Sequence, residues 1–232
     1  MRKKSYHRWL FLAALAVMPC GAATIHVEIF PGPPGTPGTA APPATLGGYV
    51  MQAFPKEMRP EFDTVSDAAA PGGGTLSFVN PAGQAPAPME LDYVGSGWAT
   101  WSHGYTGPAY YTLSDRLSLV LPADTQAFYF YIQPAIKAAF EFTVDAQGIM
   151  TTLNINGNGG AQYVGIYIDD IASSLQGVSI LQPNGLADGF AVGEFAVDGD
   201  INVIPEPGNV LGLGCVLASG LMVRTRRRRS NP

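Results

Sequence analysis

Gly97-Trp-Ala-Thr-Trp-Ser-His-Gly-Tyr-Thr-Gly107 is the most distinctive stretch of the chain, and it concentrates side chains that could bind or react. Trp98 and Trp101 stand three apart, His103 and Tyr105 follow, and Tyr110 and Tyr111 come soon after. The C–H faces of a pyranose suit an aromatic face, and neighbouring polar groups fix its orientation. Trp98, Trp101 and Tyr105 therefore form a candidate ligand platform with an exopolysaccharide as partner. The competing reading is that the two tryptophans plug one end of the domain, because large aromatics dominate cores. Ser102, His103 and Asp92 supply the side chains of a hydrolytic triad, but no nucleophile elbow surrounds them. No residue is assigned a catalytic role, and the chain is expected not to be an enzyme.

Metal chemistry has one sequence candidate. Asp198-Gly-Asp200-Ile-Asn202 places oxygen ligands at the spacing that opens a calcium loop. The following glycine and the glutamate at the twelfth position are missing, and the chain runs into Pro205. Asp169, Asp170 and Asp188 add carboxylates where their loops meet it. Zinc is not expected, since His26 and His103 are the only histidines between the chain ends and are remote in sequence. Adjacent Asp169 and Asp170 would point to opposite faces of a strand, which argues against a shared acid–base task. Gly157–Gly160 is not a phosphate loop, because no Lys-Ser/Thr follows it. No cofactor is expected beyond that calcium candidate.

The elements that carry these residues read as strands. From Thr75 onward, short runs rich in Val, Ile, Tyr, Phe and Thr alternate with Gly, Pro and Asn clusters. Leu117, Leu119 and Leu121 recur with period two, as do Phe140, Phe142 and Val144, and Phe190, Val192 and Glu194. Strands are expected near 48–53, 75–80, 89–94, 97–101, 109–113, 116–121, 127–133, 139–145, 149–155, 161–168, 177–181 and 190–197. Their number and spacing predict an all-β fold, a β-sandwich of jelly-roll-like form. Ala127-Phe-Tyr-Phe-Tyr-Ile-Gln133 is apolar on both faces, which predicts a central strand. Residues 24–74 read as a Pro/Gly-rich spacer and irregular segment, and 75–203 as the sandwich domain.

The two ends are of a different kind. Arg2, Lys3, Lys4 and Arg8, then apolar Trp9–Met18, then Gly21-Ala-Ala23, follow the order of a secretory signal peptide over residues 1–23. The only cysteines, Cys20 and Cys215, lie in the terminal segments, so the exported domain must be stable without disulfides. Between the ends stand Lys56, Arg59, Arg116 and Lys137 against 17 acidic residues, a net charge of −13. Such a domain repels nucleic acid and anionic lipid.

The C-terminal end, residues 204–232, carries Pro205-Glu206-Pro207, an apolar run from Val210 to Val223, and then Arg224, Arg226, Arg227, Arg228 and Arg229. The prolines keep residues 205–207 out of any helix or ladder. The apolar run reads as a short transmembrane helix, and the arginines hold the C-terminus on the cytoplasmic side. In order, spacing and the literal Pro-Glu-Pro, this end closely resembles a PEP-CTERM sorting signal. The resemblance implies passage through the secretion machinery and a precursor held transiently in the inner membrane. It further implies processing near Pro205-Glu206-Pro207 by an exosortase-type enzyme, and release to the cell surface or the extracellular matrix.

A second resemblance covers roughly residues 88–204. Trp-x-Thr-Trp-Ser-His-Gly-Tyr-x-Gly at 98–107, Leu-Pro-Ala at 121–123, Ala-Phe-Tyr-Phe-Tyr at 127–131, Gly-Gly-Ala at 159–161 and Phe-Ala-Val-Gly-Glu-Phe at 190–195 look like a recurrent β-sandwich module. That module occurs in bacterial exported proteins, often ahead of a PEP-CTERM tail. The resemblance implies the fold and export, and it favours a packing role for the tryptophan block.

Overall fold

The computed structural model of the chain describes residues 23–29, 41–81, 85–185 and 187–199. These fold into two antiparallel sheets with no α-helix among them. The strands in chain order are β1 (Ile25–Glu28), β2 (Thr45–Leu46), β3 (Tyr49–Ala53), β4 (Thr64–Val65), β5 (Asp67–Ala69), β6 (Thr75–Val79), β7 (Met89–Tyr93) and β8 (Pro108–Thr112). There follow β9 (Arg116–Val120), β10 (Ala127–Pro134), β11 (Ala139–Ala146), β12 (Ile149–Asn156), β13 (Gln162–Ile168), β14 (Gly177–Leu181) and β15 (Phe190–Asp198). The larger sheet runs β1-β13-β10-β15-β8-β7-β4, with β3 also joined to β15 and β2 to β3. The smaller runs β12-β11-β14-β9-β6-β5.

Alternation explains how the two sheets close on each other. Leu117 and Leu119 of β9, Phe142 and Val144 of β11, and Val178 and Ile180 of β14 turn inward from the smaller sheet. Phe128, Phe130 and Ile132 of β10 and Val164 and Ile166 of β13 meet them from the larger. Phe78, Phe128, Phe130, Phe142 and Phe190 are fully buried there. Burial of apolar surface on this scale is the dominant stabilising term, and the described domain contains no cysteine that could add to it.

β10 is the central strand expected from its two apolar faces. It pairs with β13 on one side and β15 on the other, and all eight of its residues are buried. Its second face does not look into the sandwich. Ala127, Tyr129 and Tyr131 belong to a separate apolar layer outside the larger sheet, together with Trp101, Tyr163, Leu46 and Tyr49. The β2–β3 hairpin and the loop 94–107 cover that layer, and the Tyr49 hydroxyl donates to the Ile168 carbonyl at 2.9 Å.

Two expectations need correction. Residues 97–101 are not a strand. Their one ladder contact is a parallel bridge from Trp98 to Val94, because Gly95 takes a positive φ and turns the chain back on Tyr93. Residues 24–74 are more than a spacer: besides β3, the strand expected near 48–53, they carry β1, β4 and β5, which pair with β13, β7 and β6. These strands are short or lie at sheet edges, where period two has too few residues to register. The expected signal peptide (bar Ala23), the Pro/Gly-rich run 31–40, Asp200, Asn202 and everything beyond lie outside the described residues.

Candidate functional site: a buried His–Glu pair beside a cleft

The tryptophan block is locked onto the outside of the larger sheet by groups from three distant parts of the chain. Gln133, on β10 and 2% exposed, accepts the Trp98 indole N–H at 2.8 Å. Its own amide donates to Thr100 Oγ1 at 2.8 Å and to the Gly157 carbonyl at 2.9 Å. The Trp101 indole N–H donates to Glu194 Oε2 at 3.1 Å. The Ser102 hydroxyl donates to the Ala161 carbonyl.

Glycines make this closure sterically feasible. A Cβ at Gly160 would lie 2.7 Å from the Trp101 carbonyl oxygen, and Gly160 already has a φ of +87°. A Cβ at Gly193 would lie 2.6 Å from the Pro108 carbonyl and 3.3 Å from the Trp101 ring. The scattered segments 98–107, 127–131, 159–161 and 190–195 therefore meet at one place.

At that place β15 carries a bulge. Tyr129 pairs with Ala196 but Tyr131 pairs with Gly193, so Glu194 and Phe195 together oppose Phe130. Glu194 has a φ of +53°, which few residues other than glycine adopt, and it turns its side chain to the outer face. There Glu194 Oε1 lies 2.7 Å from His103 Nε2, and both side chains are largely buried. Glu194 is the one group described against that nitrogen, which has no other hydrogen-bond partner among the described residues. His103 also has positive φ, and its ring tilts against Tyr131 at 5.4 Å.

Burial pushes the Glu194 carboxyl up to about 8, with the Trp101 hydrogen bond opposing the shift. Burial also lowers His103. Both directions favour a carboxylic acid beside a neutral imidazole. An ionised pair would hold the same single proton, so the pair is neutral overall in either form.

A cleft of about 350 Å³ opens beside this pair. It lies where the neighbour of β15 changes from β8, paired at Phe190–Gly193, to β3, paired at Ala196–Asp198. Phe54, Lys56, Glu57, Tyr105, Tyr110 and Glu194 contribute to its wall. Glu57 is held by Arg59, whose Nη2 reaches Oε2 at 2.6 Å, and that hydrogen bond lowers the carboxyl to about 2. The Tyr110 hydroxyl donates to the same Glu57 oxygen at 3.1 Å.

Of the residues expected from sequence to form a platform, Trp101 is buried, and Trp98 and Tyr105 are half-buried. The three do not present one open face: Trp98 leans on Tyr111 at 5.6 Å, while Trp101 leans on Tyr105 at 6.0 Å. Ser102 and His103 are not joined to Asp92 in a relay. The Ser102 hydroxyl goes to a main-chain carbonyl and His103 meets Glu194. Asp92 lies instead against Gly97, and burial, with Glu90 and Glu61 nearby, pushes it up to about 6.

Of the loop ligands Asp198, Asp200 and Asn202, only Asp198 is within the described residues. Its Oδ1 accepts the main-chain N–H groups of Gln126 and Ala127 at 2.9 and 3.1 Å, tying the end of β15 to the start of β10. Asp169 and Asp170 lie at the same end of the sandwich, where burial, and after it Asp198, Asp169 and Asp170, push the Tyr49 hydroxyl up. Asp188 is elsewhere, its carbonyl accepting the Tyr111 hydroxyl at 2.9 Å. Among the described residues no three His, Cys, Asp or Glu side chains converge as a metal site.

No family model and no curated protein matches this chain.

Proposed function

We propose that the chain is an exported, non-enzymatic protein of the cell surface or extracellular matrix, sorted by its C-terminal tail. The tail carries this reading: Pro205-Glu206-Pro207, an apolar run and an arginine cluster stand in the order of a PEP-CTERM signal. An exosortase-type enzyme would act near the Pro-Glu-Pro turn while the apolar run holds the precursor in the inner membrane. Val210–Val223, 14 residues, would form a helix of about 21 Å against a hydrocarbon core of about 30 Å. A short anchor suits temporary retention. The non-enzymatic part is supported by how Ser102 and Trp101 are used, each donating a hydrogen bond that holds the loop to the sheet. Replacing Pro205, Glu206 and Pro207 together by alanine is expected to leave the protein in the inner-membrane fraction. Unchanged export of that variant would remove the sorting reading.

A second reading, a module that binds saccharide, is favoured by the cleft at the β3–β8 junction rather than by the tryptophan block. Its volume is in the range of small-ligand sites, and its lining includes aromatic Phe54, Tyr105 and Tyr110 and acidic Glu57 and Glu194. Neutral hexose oligosaccharides bound there should shift Trp101 emission through Glu194. Tyr105→Ala should weaken that binding, and Trp98→Ala should leave it intact. Binding lost in Trp98→Ala and kept in Tyr105→Ala would return the site to the tryptophan face. No binding by calorimetry would leave the surface-protein reading alone.

A further inference from the structure

We propose that Asn184 is a self-modifying site of the sandwich domain, where the main-chain nitrogen of Gly185 attacks the Asn184 side-chain amide and converts the residue to aspartate and isoaspartate. The chain has three Asn-Gly pairs, Asn156-Gly157, Asn158-Gly159 and Asn184-Gly185. In each, the glycine has no Cβ to shield its nitrogen from the preceding amide. The fold treats the three differently.

Two of the pairs are clamped. Asn156 ends β12, and its Oδ1 accepts the Asn158 main-chain N–H at 3.0 Å. The Gly157 N–H, whose nitrogen would be the nucleophile, donates to the Ala138 carbonyl at 2.8 Å. The Gly157 carbonyl accepts the Gln133 amide at 2.9 Å, and a Cβ on this glycine would lie 2.5 Å from the Ile136 carbonyl oxygen. The Asn158 side-chain amide donates to the Lys137 carbonyl at 2.6 Å, and Gly157 and Gly159 are both buried. Reaction at either pair requires this clamp to open.

The third pair has no such restraint. Asn184 and Gly185 are both exposed in the loop between β14 and β15. Among the described residues no side-chain hydrogen bond holds Asn184. The Gly185 N–H reaches the Gln182 carbonyl only at 3.5 Å, and a Cβ built on Gly185 would meet nothing within 4 Å. Pro183 and Asn184 form the middle of that turn, and Gly185 follows with a φ of +58°.

The step needs only solvent. Hydroxide removes the Gly185 N–H proton, the nitrogen bonds to Asn184 Cγ, and the Cγ–Nδ2 bond breaks with loss of ammonia. Water then opens the resulting succinimide at one carbonyl or the other, giving aspartate or isoaspartate. Each product carries a negative charge where the amide carried none. The loop that gains it also holds Asp188, whose carbonyl accepts the Tyr111 hydroxyl at 2.9 Å. The modified fraction grows with time after folding, so it marks the age of each molecule.

The test incubates the full chain in mild detergent and mildly alkaline buffer, then maps its peptides by mass. The Asn184 peptide should gain about one dalton and split into two chromatographic species, as amide gives way to carboxylate. It should convert at least tenfold faster than the Asn156 and Asn158 peptides, whose hydrogen bonds must break first. In concentrated urea all three should convert at similar rates. A folded chain whose Asn184 stays unmodified, one in which Asn156 or Asn158 converts as fast, or a difference that persists in urea overturns the proposal.

Discussion

Trp101→Ala is expected to destabilise the domain by about 3–5 kcal/mol, the cost of removing a large buried aromatic side chain. The cost has more than one source here. The ring fills the outer layer above Gly193, and its N–H is the only hydrogen bond described for the buried Glu194 carboxyl. Without it, Glu194 and His103 would face a cavity. Trp98→Ala should cost less, since Trp98 is only half-buried, although Gln133 loses a donor. Urea unfolding followed by circular dichroism separates the two. Equal, small effects from both substitutions would mean that the block is not a structural cover, and the ligand-platform reading of Trp98, Trp101 and Tyr105 would regain its force.

The second large effect is on pH dependence. Glu194 is raised from 4.5 to about 8 in the fold. Between those values the folded protein holds a proton that the unfolded chain has lost, so stability falls as pH rises through this window. The contribution is fully present below about pH 4.5 and gone above about pH 8, and its size is on the order of a few kcal/mol. His103 acts in the opposite sense: its lowered value costs stability only as pH falls below about 6.5, where the unfolded imidazole takes up a proton. Asp92, raised to about 6, has the sign of Glu194, but its window ends near pH 6. The interval from about pH 6.5 to 8 therefore isolates the Glu194–His103 pair. Glu194→Gln keeps an acceptor for the Trp101 N–H and removes the titration. That variant should show flat stability between pH 6.5 and 8.5 and exceed the parent at pH 8.5. Parallel pH profiles for the two proteins would mean that Glu194 is ionised in the fold.

Much of the sandwich is legible in the sequence because its long strands alternate cleanly. The expected spans at 116–121, 139–145 and 149–155 coincide with β9, β11 and β12 to within a residue or two, and the doubly apolar run at 127–133 is the central β10. Alternation fails where strands are brief. β1, β4 and β5 have two to four residues each, and only pairing with distant partners makes them strands. The block 97–101 misleads in the other direction, its Trp and Thr residues having strand-like propensity while the flanking glycines turn the chain.

Glu194 was the least legible residue. Read with period two, it continues the face of Phe190 and Val192. Yet Phe190, Val192, Phe195 and Val197 all lie in the sandwich core, and Ala191 and Ala196 lie in the outer layer. The three-residue step from Val192 to Phe195 is the trace of the bulge in the sequence. The convergence of segments 98–107, 127–131, 159–161 and 190–195 has no local trace, since it depends on strands far apart in the chain. Each segment supplies a ring, a glycine or a hydrogen-bond partner to one closure.

The most direct test of the sorting proposal is the intact mass of the protein recovered from the cell surface and the medium. A mass that begins near Ala23 or Thr24 and ends near Pro205–Pro207 is the predicted result. A mass that retains Arg226–Arg229 would contradict it, and the sandwich would then be a periplasmic domain tethered permanently to the membrane.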